Sequence, residues 1–186
     1  MNKQNMLVIY LALTFFLFIN TFAQDQNESE CDSLTEQITG ARIAEDWMSL
    51  EKYCLLHIEQ CIYIVGKESI AESYAILASA YIEMSEYSKG LDAANKGIDL
   101  NYSVPTNHMY KARILSLLKN KKGAIESFNR AEKLAAYRKE QLEIELIVAP
   151  QKVGKELLES KINLLQAKIK QCEAIIAYCN YFRKRV

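Results

Sequence analysis

The stretch that decides the fold is Ser73-Tyr-Ala-Ile-Leu-Ala-Ser-Ala-Tyr-Ile-Glu-Met84, followed by Glu86-Tyr-Ser-Lys-Gly-Leu-Asp-Ala-Ala-Asn-Lys-Gly-Ile-Asp-Leu100. In the first segment Tyr74, Leu77, Ala78 and Tyr81 recur at helical spacing on one face. In the second, Tyr87, Gly90, Leu91, Ala94 and Ile98 do the same. Small residues where two helices cross let the backbones approach, and larger side chains interdigitate on either side. The pair reads as a helical hairpin.

Working outward, the hairpin repeats. Residues 71–104 align without a gap on 105–138, an offset of 34. Small residues coincide: Ala78 with Ala112, Gly90 with Ala124, Gly97 with Ala131. So do bulkier ones: Tyr81 with Leu115, Met84 with Leu118, Leu91 with Ile125, Ala94 with Phe128. One such hairpin cannot bury its own apolar face, so neighbours must stack on it.

The segments Tyr74-x-x-Leu77-Ala78-x-x-Tyr81 and Tyr87-x-x-Gly90-x-x-x-Ala94-x-x-Gly97 resemble a tetratricopeptide repeat. The next unit, with Ala112, Leu115, Ala124, Phe128 and Ala131, resembles another. The resemblance covers residues 71–138, with His108 at the family's early aromatic position. Tyr102 replaces its terminal Pro, and Pro105 opens the following unit. The resemblance implies an all-α helical-hairpin solenoid that takes a protein or peptide partner in a groove lined by first helices. That groove would present Glu72, Ala75, Ser79, Ile82 and Glu83, then Met109, Arg113 and Ser116. The family's clamp for a C-terminal carboxylate uses Lys and Asn there. Ala75 and Ser79 stand at two of those places, so this ligand is not implied.

The flanks continue the helical pattern less regularly. Ser33–Ala44 and Trp47–Ile64 read as a helix pair around Glu45-Asp46, a divergent first unit with Leu56 and Tyr63 where small residues belong. Lys139–Ala149 reads as a further helix, with Leu142, Leu146 and Ala149 on one face. Pro150 and Gly154 interrupt it, and Glu156 to about Phe182 reads as a long final helix. The repeat domain is thus expected over 33–149 and the C-terminal helix within 150–186.

That last helix carries its own pattern. Leu158, Ile162, Leu165, Ile169, Cys172, Ile176 and Cys179 step by 4, 3, 4, 3, 4, 3. Ile162, Ile169 and Ile176 fall at a; Leu158, Leu165, Cys172 and Cys179 fall at d. Ile at a with Leu at d favours a parallel two-stranded coiled coil, in which Lys168 and Glu173 would pair between chains and Cys172 and Cys179 would be interchain thiols. Leu164, Ile175 and Tyr178 widen the apolar face, as a helix capping the repeats would require. Homodimer and cap both follow from the residues.

The start of the chain has three parts: Lys3, an uncharged apolar run over Met6–Ile19, and Thr21-Phe22-Ala23 before Gln24. This is the order of a secretory signal, residues 1–23, followed by a polar lead over 24–32 expected to be loose. The run is short for a membrane span, which needs about 20 residues. Retention as an anchor is the alternative, and would be the chain's one membrane contact. Export places the protein in the periplasm or outside the cell.

Export also permits disulfides. Of five cysteines, Cys31 and Cys61 sit symmetrically about residue 46, so antiparallel helices bring them level. Cys172 and Cys179 are seven apart on one helix, about 10.5 Å, too far to bridge each other. Cys54, His57 and Cys61 share a helix face, but lack the paired short spacings of a zinc site; contact with neighbouring helices is the simpler reading.

Six Gly and two Pro in 186 residues disfavour an all-β chain. Formal charge is zero, and −1 without the first 23 residues, so no field draws in nucleic acid. No phosphate loop, His-Glu-x-x-His or Gly-x-Ser-x-Gly occurs, and neither histidine has an evident nucleophile partner. Lys119-Asn-Lys-Lys-Gly123 reads as a hairpin turn, and Arg183-Lys-Arg185 as a basic helix end suited to the dipole. The expectation is a non-catalytic adaptor or scaffold of the cell envelope without cofactor or resident metal; the alternative is a dimeric spacer acting through the last helix.

Overall fold

The structure, a computed structural model, describes residues 28–148 and 155–186. Among the described residues there are seven helices and no strand. The signal segment expected at 1–23 and the interruption expected at Pro150 and Gly154 lie outside them. The chain divides into two compact units, up to Gly66 and from Lys67.

In the first unit, α1 covers residues 28–43 and α2 covers Trp47–Cys61. The polar lead expected over 24–32 is therefore helical from residue 28. Its reason is Cys31, which is buried and bonded to Cys61 with Cα atoms 5.8 Å apart, so the start of α1 is tied down. Cys31, Leu34, Ile38 and Ala41 form the buried stripe of α1, and Leu50, Cys54, His57 and Cys61 that of α2. Both stripes step by threes and fours, as one helix face must. α2 ends at Cys61 rather than Ile64: the Ile64 and Val65 amides turn back to the Cys61 carbonyl, and Tyr63 is almost fully exposed.

The second unit contains α3 (Gly66–Glu83), which begins at its boundary, α4 (Tyr87–Leu100), α5 (Pro105–Leu117), α6 (Lys121–Val148) and α7 (Lys155–Arg183). The 34-residue period appears in the turns. Ser85 and Lys119, 34 apart, both adopt φ 61°. In each case the next amide reaches back five residues, Glu86 to the Tyr81 carbonyl and Asn120 to that of Leu115, both at 2.8 Å. This left-handed helix stop satisfies carbonyls that the helix end leaves open. Glu45, φ 55°, makes the same stop in the first unit, with Asp46 bonded to Ala41. Its offset from Ser85 is 40 residues, which is why the 34-residue frame slides out of register there.

The small residues do what the repeat requires. A Cβ on Gly90 would stand 3.0 Å from Ile114 Cδ1 and 3.3 Å from Tyr81 Cβ. On Gly97 it would stand 2.6 Å from the amide nitrogen of Asn107 and nearer still to its oxygen. Asn107 is fully buried and donates to the Ala71 carbonyl at 2.8 Å, linking α5 to α3. Ala78, Ala94, Ala112, Ala124 and Ala131 are likewise without exposure.

The C-terminal part departs from expectation in one respect. The helix expected from Lys139 is not separate: α6 runs 28 residues without a break. No Gly or Pro stands between Gly123 and Pro150, and Leu, Ala, Glu, Lys and Arg dominate, so nothing stops propagation. α7 lies antiparallel on α6. Ion pairs mark the register: Glu145–Lys161 at 3.1 Å, Lys139–Glu173 at 2.8 Å and Glu132–Arg183 at 2.5 Å. Such exposed pairs, screened by solvent, contribute little to stability. The larger stabilisation is apolar: Phe128, Ala131, Ala135 and Leu142 of α6 form one core with Leu165, Cys172, Ile175 and Cys179 of α7.

Candidate interaction face

The face implied by the repeat resemblance is carried by α3 and α5, and the structure divides its eight residues. Ala75, Ile82 and Met109 are buried, at 1%, 5% and 7% exposure, and offer nothing to a ligand. Met109 is taken into the core that α5 and α6 share with α7. An apolar side chain beside a stacking helix is worth about 1.5–3 kcal/mol buried, so it goes inward. Glu72, Ser79, Glu83, Arg113 and Ser116 keep accessible surface and form a polar strip.

This strip is internally organised. Arg113 donates to Glu83 at 3.1 Å, joining α5 to α3. Arg138 of α6 pairs with Glu68 and stands 3.8 Å from Glu72. Burial raises the Glu72 carboxyl above its ordinary range, with Arg138 opposing. Ser79 Oγ donates to the Ile76 carbonyl of its own helix at 2.6 Å. One member escaped the sequence reading. Tyr178 of α7 lies within electrostatic reach of Arg113 and Glu83, its hydroxyl buried and without a hydrogen-bond partner among the described residues. Burial pushes its phenol up to about 12. In the sequence Tyr178 only widened an apolar face; which helix received it depends on the fold back of α7.

The remaining candidates sort by burial. Cys172 and Cys179, expected as interchain thiols, are at 2% and 0% exposure inside the α6–α7 core, and burial raises both thiols, Cys179 to about 12. They are not placed to bridge two chains. Glu173, expected to pair with Lys168 of another chain, pairs with Lys139 of its own. Of the coiled-coil seam, Leu158, Leu165, Ile169, Cys172, Ile176 and Cys179 all lie in or against the chain's own core.

In the first unit, Cys61 is spent in the disulfide and cannot ligate metal. Burial pushes the Cys54 thiol up to about 12 and holds His57 below its usual 6.5. Among the described residues no group of three His, Cys, Asp or Glu is placed to hold a metal ion. Of the turn expected over Lys119–Gly123, only Lys119 and Asn120 lie in the turn; Lys121–Gly123 open α6, and the Asn120 side chain accepts from the Gly123 amide at 3.0 Å. Arg183 is engaged by Glu132 and Asn129, and Arg185 stacks on Tyr181.

The fold is of the tetratricopeptide-like helical-repeat class. No protein-family profile matches the chain. No curated protein matches its sequence. Among solved structures, PcrH in complex with the chaperone binding region of PopD is similar over 79% of this chain and 93% of its own, with TM-score 0.52 and 16% identity. The TPR2B domain of yeast Sti1, in complex with an Hsp70 peptide, aligns with 76% of this chain and 96% of its own at TM-score 0.48 and 16% identity. The TPR domain of Arabidopsis OM64 aligns with 78% and 98% at TM-score 0.48 and 14% identity.

Proposed function

We propose that this chain is a non-catalytic interaction module, exported to the cell envelope, that holds a peptide or protein segment against the α3–α5 face. The observation that carries the reading is the strip of Glu72, Ser79, Glu83, Arg113 and Ser116, left accessible on first helices where Ala75, Ile82 and Met109 of the same face are buried. PcrH, a similar fold held in complex with a region of another protein, supports it. Export rests on the tripartite start of the sequence, and the Cys31–Cys61 disulfide suits an oxidising compartment, periplasmic or external. The dimeric-spacer alternative needs a seam that the chain already uses for its own core.

The test is site-specific photocrosslinking in the native cell, with the reactive group at Ser79 or Ser116 and, as control, at Lys96 on α4. Discrete adducts from the first two positions and none from the third support the reading. Equal labelling at all three, or none, refutes it. N-terminal sequencing of the envelope fraction should begin at or near Gln24; recovery of Met1 on cytoplasmic protein would remove the export claim.

A further inference from the structure

A second face of the repeats carries an unexplained concentration of positive charge. α4, α5 and α6 together enclose a cleft of about 480 Å³. Its charged lining is Lys111 of α5 with Glu126, Arg130 and Lys133 of α6. Three cations face one carboxylate in a chain whose formal charge is zero. None of the four is in an ion pair among the described residues.

The cleft is also pre-organised. The Arg130 guanidinium lies 4.9 Å from the Tyr102 ring centroid. That ring meets His108 edge-on at 4.8 Å, and His108 Nε2 is 3.0 Å from the Tyr102 carbonyl. A guanidinium stacked on a ring loses little freedom on binding and presents its in-plane N–H groups to a carboxylate. Burial, joined by Arg130 and Lys111, holds His108 below its ordinary 6.5, so at neutral pH it stays uncharged. Ile98 and Leu115 supply apolar wall beside the cations.

We propose that this cleft binds an acidic peptide segment, its carboxylates on Lys111, Arg130 and Lys133 and an apolar side chain against Ile98, Leu115 and Tyr102. The charge excess calls for an anion. A peptide fits better than a single phosphate for two reasons. The cations sit on two helices, with Arg130 and Lys133 one turn apart. The helix N-terminus bordering the cleft is partly self-capped, its Gly123 amide already given to Asn120, which leaves fewer donors for a phosphate. The inference rests on the interaction-module reading but uses none of the α3–α5 face residues.

The probe is a fluorescein-labelled peptide of alternating Glu and Leu, titrated into the full chain by anisotropy, beside a Gln-Leu peptide. Lys111→Gln with Arg130→Gln should weaken binding about tenfold or more, since two charge-assisted bonds are lost, a change of about 1.4 kcal/mol or more. Lys133→Gln alone, a mild exposed change, should weaken it by a smaller factor. Removing the same charge elsewhere, Lys96→Gln with Lys170→Gln, should leave affinity within about twofold, as screening of distant exposed charges predicts. The proposal is overturned by absence of saturable binding, by equal binding of the Gln-Leu peptide, by equal loss in the Lys96/Lys170 control, or by displacement with inorganic phosphate at matched ionic strength. Absence of peptide binding to the unsubstituted chain, with Ser79 and Ser116 crosslinks formed, would sink this cleft alone; the reverse pattern would sink the α3–α5 face alone.

Discussion

A single methyl group at Gly97 sets helix propensity against helix packing. In an open helix, Gly→Ala stabilises by about 1 kcal/mol. At Gly97 the added Cβ would stand 2.6 Å from the Asn107 amide nitrogen. Asn107 is fully buried and bonded to the Ala71 carbonyl at 2.8 Å, so it cannot swing into water. Either it keeps its bond and α4 is forced off α5, an overpacking cost of about 1–3 kcal/mol, or it moves and strands buried polar atoms, about 1–3 kcal/mol. After the propensity gain is subtracted, Gly97→Ala should destabilise by up to roughly 2 kcal/mol. Gly40→Ala on α1, where a Cβ would meet nothing within 4 Å, isolates the propensity gain and should stabilise. Urea unfolding followed by circular dichroism reads both. A double-mutant cycle completes the test: with Asn107→Ala as background the obstruction is gone, and Gly97→Ala should cost less by about 0.5–3 kcal/mol. If Gly97→Ala stabilises as Gly40→Ala does, or costs the same in both backgrounds, the α4–α5 contact is not as described.

Ala112→Leu and Ala124→Leu, both at positions without exposure, should each lower stability by roughly 1–3 kcal/mol in the same assay. Reducing the Cys31–Cys61 bond, which spans 30 residues, should destabilise the α1–α2 pair by about 3–4 kcal/mol; alkylation under unfolding conditions without reductant should label three thiols, Cys54, Cys172 and Cys179. Because burial lowers the folded pKa of His108, the unfolded chain binds more protons below 6.5, and stability should fall as pH drops from 6.5 towards that folded pKa; His108→Asn should flatten this slope in unfolding curves measured across the window. Oxidised protein should run as a monomer on a non-reducing gel, since Cys172 and Cys179 are both buried; a dimer band abolished by Cys172→Ser with Cys179→Ser would restore the coiled-coil reading.

The repeat was legible because its signal is steric and local. Gly90, Gly97, Ala112, Ala124 and Ala131 recur at 34 residues because any Cβ or larger group there meets a partner helix within about van der Waals distance, as the 3.0 Å from Gly90 to Ile114 shows. The breaks after Met84 and at Lys119 were legible, but the left-handed backbone at Ser85 and Lys119 that makes them was not. Neither is Gly or Asn, the residues that normally mark a left-handed stop, and only the structure reveals it. The early start of α1 was hidden for a related reason. Asp25, Glu28 and Glu30 make the segment read as loose, yet Cys31 is bonded to a residue 30 positions away, and local composition does not record a constraint from that distance.

The last helix shows why a periodic face does not name its partner. Leu158, Leu165, Cys172 and Cys179 with Ile162, Ile169 and Ile176 satisfy a heptad, and the same residues satisfy a helix packed on its own chain, because both need apolar residues every three or four positions. Width separates the two. A two-stranded seam needs only a and d, whereas here Ile175 is buried at 5% exposure, and Tyr178 and Phe182 pack with Phe128 at 6.5 and 6.4 Å. Those three residues lie outside a and d, and they have a purpose only if α6 and α5 lie beside α7. The polar strip depends on this choice as well. Met109 is withdrawn from the α3–α5 face, and Tyr178 is delivered to it, by the same folding back of α7 on α6. A substitution that frees α7, such as Leu165→Asp, would therefore bury an unpartnered charge and alter the interaction face together with the core.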